Sequence, residues 1–203
     1  MADYTYRIHS GGTNSGFSWT SLQDAWDNFK SNNIAGGGTG VLPAASNLYF
    51  QIDGYLDFSN VTMTLQGITC SNNTTSLIYV ESYSNAWNST ARAIRKYTSY
   101  DGFQCNGGYV NLSGATQGNV TFRNFVINGG ASGTATMHIN AVSSSQPCTI
   151  DGVLVVLSHG RTSMTGINAG YDVTIKNTVV LVYGTDPVTP TGIFGGNSTV
   201  YVD

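Results

Sequence analysis

The chain has 203 residues, of which 9% are charged, with a formal net charge of −3. Its 8 scattered Lys and Arg residues cannot build a phosphate-neutralising patch, which excludes nucleic acid as the partner, and apolar runs such as Val153 to Leu157 are too short to cross a bilayer. The length suits one domain, and 25 glycines together with abundant Asn, Ser and Thr favour strands and turns over helices, so an all-β fold is expected.

At the N-terminus, MADYTYRIHS lacks the basic and apolar regions of a signal peptide, and synthesis in the cytosol is expected. A strand is predicted from Tyr4 to His9. Thr20-Ser21-Leu22-Gln23 then matches a capping box, and Leu22, Ala25, Trp26 and Phe29 recur at helical spacing, which predicts a helix over about 21–32. Its apolar stripe would close the end of the fold, the alternative being a partner-binding amphipathic helix. Residues 1–45 are therefore read as a cap and 46–203 as the body of one structural domain. Leu48, Phe50, Ile52, Leu56 and Phe58 open that body. Asp53 and Asp57, in IDGYLDFS, suit a turn or side-chain cap better than a calcium site.

The body repeats itself. Thr62, Thr121, Thr149, Thr174 and Thr199 align in one column, flanked by apolar residues such as Phe122, Ile150, Ile175 and Val200 on the following position. Ile68, Ile127, Val155 and Val180 make a second column, and Ile139, Ile167 and Ile193 a third. Asn124 and Asn177 fall where two strands would bend. A period of roughly 25 residues cannot bury its own apolar face, so successive units must stack, with like strands in parallel register. About seven coils, or a rod of roughly 30 Å, are expected. Two residues after the threonines come Thr64, Arg123, Asp151, Lys176 and Tyr201; the alternating charges at Arg123, Asp151 and Lys176 would favour this register by on the order of 0.2–1 kcal/mol per exposed pair. The predicted C-terminal strand, Thr199 to Val202, is read as leaving an edge for a partner, or for more chain, to cover.

The SWTSLQDAWDNF helix followed by coils such as NVTFRNFVINGG and DVTIKNTVVLVYG resembles the pectin-lyase-like right-handed parallel β-helix, a single-stranded solenoid, over nearly the whole chain. That superfamily spans lyases, hydrolases, adhesins and bacteriophage tailspikes, and the compact cap with Gly/Ser/Thr/Asn-rich coils is most similar to the phage group. The resemblance implies a non-enzymatic structural protein of the virion: a capsid decoration, head fibre or tail component. It would be a homo-oligomer, a trimer favoured, contacting other virion proteins. The competing expectations are a tailspike domain that binds or depolymerises host surface glycan and, lower, an ice-binding or adhesive solenoid.

No catalytic residue, cofactor or metal site is expected. The 11 acids are scattered in the predicted register, whereas the superfamily's enzymes cluster theirs. In SHGRT, His159 and Arg161 match only part of a hydrolase Gly-His-Gly, and His9 and His138 have no evident partner. Cys70, Cys105 and Cys148 lack metal-ligand spacing and read as buried thiols. One stretch, 81–108, exceeds the period and concentrates aromatics with arginines: Tyr83, Trp87, Arg92, Arg95, Tyr97, Tyr100 and Phe103. Interfaces and sugar clefts both favour that mixture, so this segment is the expected contact surface, although part of it could fill the core of an irregular coil.

Overall fold

The computed structural model describes residues 2–32, 40–72, 75–84, 86–87, 98–105, 107–112, 119–129, 137–141, 147–158, 163–170, 173–183, 189–195 and 201–202. Its N-terminal part comprises β1 (Ala2–Ile8), β2 (Ser18–Trp19), α1 (Leu22–Asn32) and β3 (Val41–Leu42). There follow β4 (Ser46–Ile52), β5 (Tyr55–Asp57), β6 (Met63–Thr64), β7 (Thr69–Cys70), β8 (Leu77–Ser82), β9 (Gly102–Gln104) and β10 (Val110–Asn111). The remainder is β11 (Val120–Arg123), β12 (Val126–Asn128), β13 (Met137–Ala141), β14 (Cys148–Asp151), β15 (Leu154–Ser158), β16 (Ser163–Ala169), β17 (Val173–Lys176), β18 (Val179–Tyr183), β19 (Thr189–Gly195) and β20 (Tyr201–Val202).

These strands form three main sheets. The first has eight strands in the order β2-β1-β4-β8-β11-β14-β17-β20, the second five, β18-β15-β12-β9-β5, and the third five, β19-β16-β13-β10-β6. A small pair, β3 and β7, stands apart. Within each sheet the paired strands run parallel. From β4 onward the chain visits the first, second and third sheets in the same rotation, five times over, before β20 returns to the first. About seven rounds were expected; the described strands make five. Among the described residues, no helix is long and apolar enough to cross a membrane.

Three threonines hold their predicted column: Thr121 is opposite Thr149, and Thr149 opposite Thr174. The ends of that column are different. Tyr79, not Thr62, faces Thr121, and Tyr201, not Thr199, faces Thr174. Thr62 precedes β6, which belongs to the third sheet. Likewise Phe103 and Leu56, not Ile68, continue the column of Ile127, Val155 and Val180. The third column stands as read and extends backward through Val110 to Met63. Asn124 and Asn177 adopt left-handed conformations, φ 62° and 47°, between strands of the first and second sheets, a geometry that Asn tolerates better than most side chains. Gly152 occupies the intervening turn at φ 65°, where an added Cβ would meet Asn124 Oδ1 at 2.6 Å.

The inward columns make one continuous core, in which Phe122, Ile127, Ile139, Ile150, Val155 and Ile167 are fully buried. Helix α1 closes its N-terminal end with the predicted stripe of Leu22, Ala25, Trp26 and Phe29, all buried, and Trp26 stacks on Phe50 at 5.1 Å. The cap lies one residue later than expected: the Asp24 amide donates to Ser21 Oγ at 3.2 Å. Gln23 is thereby released from the capping box. Its amide instead imitates a neighbouring strand: Thr64 N–H donates to Gln23 Oε1 at 2.6 Å, and Gln23 Nε2 donates to the Thr64 carbonyl at 3.3 Å. Trp26 Nε1 donates to the Gln66 carbonyl at 2.9 Å. Side chains from one helix thus satisfy backbone groups along the edge of the third sheet.

Candidate functional site

The excursion between β8 and β9 leaves and re-enters the first two sheets through one carboxylate. Asp101 is fully buried. Its Oδ1 accepts from the Gly54 amide at 2.8 Å, and its Oδ2 from Ser82 Oγ and the Ser84 amide, both at 2.7 Å. One side chain therefore pins both feet of the excursion to the turn that follows β4.

The seven predicted contact residues are distributed unevenly. Trp87 is 1% exposed and packs on the outer face of the second sheet against Val126, Leu154 and Val156, with Tyr55, Tyr100, Val179 and Leu181 at the margin. Its amide donates to the Asn124 carbonyl at 3.1 Å, but its indole Nε1 is buried without a hydrogen-bond partner among the described residues. Phe103 is inside the main core, between Phe58 at 5.3 Å and Phe125 at 5.7 Å. Neither ring presents a surface, because each fills a core. Among the described members, Tyr83 stays in solvent, 47% exposed, with the Arg7 guanidinium 4.3 Å above its ring. Tyr100 is half-buried. Arg92, Arg95 and Tyr97 lie outside the described residues.

A network that the sequence reading overlooked runs along the outer face of the first sheet. Tyr49 and Tyr79 stack at 5.0 Å with an interplanar angle of 8°. The Arg123 guanidinium covers the Tyr79 ring at 4.1 Å. Arg123 also donates from Nε to Glu81 Oε2 at 2.6 Å, while Gln51 Nε2 donates to Glu81 Oε1 at 2.9 Å. The signal was present as Tyr49-Phe50-Gln51 and Tyr79-Val80-Glu81, which share an outward aromatic followed two residues later by a polar group. Placing Thr62 in this column concealed it.

The charge column is correspondingly longer. Gln51, Glu81, Arg123, Asp151 and Lys176 follow one another in register. Arg123 turns back to Glu81 in an ion pair, and Asp151 Oδ1 accepts instead from Asn177 Nδ2 at 2.9 Å.

The remaining candidates have local roles. Asp53 forms an ion pair with Arg7. Asp57 accepts from the Ser59 amide at 2.9 Å, and hydrogen bonding from Ser59, through its side chain and its backbone, holds the carboxyl below its usual pKa. His9 has a partner after all: its Nε2 is 2.9 Å from Ser18 Oγ on the neighbouring strand. His159 and Arg161 lie outside the described residues, as does the side chain of His138. Burial pushes the thiols of Cys105 and Cys148 up to about 12 and that of Cys70 to about 11, which disfavours their thiolate forms. Among the described residues, no group of three His, Cys, Asp or Glu is placed to hold a metal ion.

These contacts tie neighbouring strands and turns together. Asp101 accepts three hydrogen bonds and Glu81 is bonded through both oxygens. A sugar stacks on a free aromatic face, and both faces of Tyr79 are occupied, by Tyr49 and Arg123. No known protein family, curated protein or solved structure matches the chain.

Proposed function

We propose that the chain is a right-handed parallel β-helix acting as a non-enzymatic structural component of a bacteriophage particle, where it contacts other virion proteins and copies of itself in a trimer. The handedness follows from chirality: parallel strands joined by crossovers in one sheet are right-handed in about 98% of cases. The phage assignment rests on the likeness of the cap and Asn/Thr/Gly-rich coils to virion β-helices. The observation that carries the functional reading is the engagement of Glu81, Asp101, Asp53 and the Tyr79 ring in contacts between coils, while among the described residues of the 81–108 segment the Tyr83 ring, under the Arg7 guanidinium, stays exposed. Arginine and tyrosine at such a site are the residue types that anchor protein interfaces.

Light scattering on the purified protein tests this. A trimer mass that falls toward the monomer in Tyr83→Ala, with no sugar released from bacterial surface polysaccharide, is the expected result. A monomeric wild-type protein contradicts the assembly role, and sugar release replaces it with a depolymerising tailspike.

A further inference from the structure

We draw no further inference here: the strongest candidate, the outer edge formed by β18 and β19, the last described strands of the second and third sheets, on which Val180 and Ile193 are only partly buried, is an apolar edge without a partner strand among the described residues, and nothing in the structure shows what covers it.

Discussion

The outer faces of the first and second sheets are built on opposite principles. From β4 to β17 the first sheet presents Tyr49, Gln51, Tyr79, Glu81, Thr121, Arg123, Thr149, Asp151, Thr174 and Lys176, and the residues between them point to the core. On the second sheet, Val126, Leu154 and Val156 face outward and are nevertheless fully buried, in a cluster separate from the main core. The first face meets water and is held by a polar ladder; the second is covered by Trp87 and its neighbours. Strict alternation between apolar and polar residues therefore holds only where the outer face of a sheet meets solvent. Where the chain covers its own exterior, a strand becomes apolar on both sides, as Leu154-Val155-Val156-Leu157 does.

Trp87→Ala gives the most direct test of that contrast. It should lower the unfolding free energy by about 4 kcal/mol, the usual cost of emptying an aromatic site. Trp87→Phe should stay within about 1 kcal/mol of wild type, because the lost area is offset by removal of an unpartnered buried N–H. Equal losses in denaturant titrations of the two variants would mean that the indole N–H does have a partner.

Gly102 lies in the outward file of the second sheet, opposite Val126, and a Cβ there would sit 2.3 Å from the Val126 carbonyl oxygen. Backbone cannot yield as a side chain can, so Gly102→Ala should cost about 3 kcal/mol. A midpoint of thermal unfolding equal to wild type would show that the sheet has room the contact denies.

On the first sheet, Glu81→Ala should cost about 2 kcal/mol: two charge-assisted bonds go, but Arg123, with its side chain 37% exposed, can be rehydrated. A double-mutant cycle with Arg123→Met isolates the pair, and a coupling energy of zero would reduce the ladder to surface decoration.

The smallest effect belongs to neither face. Ala45, in the turn entering β4, has φ 56°, and Ala45→Gly should gain about 0.5–1 kcal/mol by relieving left-handed strain. A loss of stability on chemical denaturation would show that the greater freedom of glycine in the unfolded chain outweighs the strain.

The strand columns were legible because residues that pair across a parallel sheet recur at the repeat period: Thr121, Thr149 and Thr174, and Ile139, Ile167 and Ile193, are aligned by both criteria. The first coils were misaligned because the excursion interrupts the period, so counting back from Thr121 reached Thr62 when the true neighbour is Tyr79. The 81–108 segment reads as a surface because aromatic residues look alike at an interface and in a core. Trp87 and Phe103 went to cores; Tyr83, held against Arg7, did not.

By itself, then, the sequence determined the all-β character, the capping helix, the bends at Asn124 and Asn177 and most of the stacking register, since each follows from local propensity or from a repeat that adjacent strands share. The tertiary structure alone decided that Gln23 seals the edge at Thr64, that Asp101 ties both feet of the excursion to the turn at Gly54, and that a second apolar cluster lies outside the second sheet. The Gln23–Thr64 and Asp101–Gly54 contacts join residues some 40 or more positions apart, and the second cluster covers a face whose environment depends on what the chain lays over it; no periodicity within the chain encodes either.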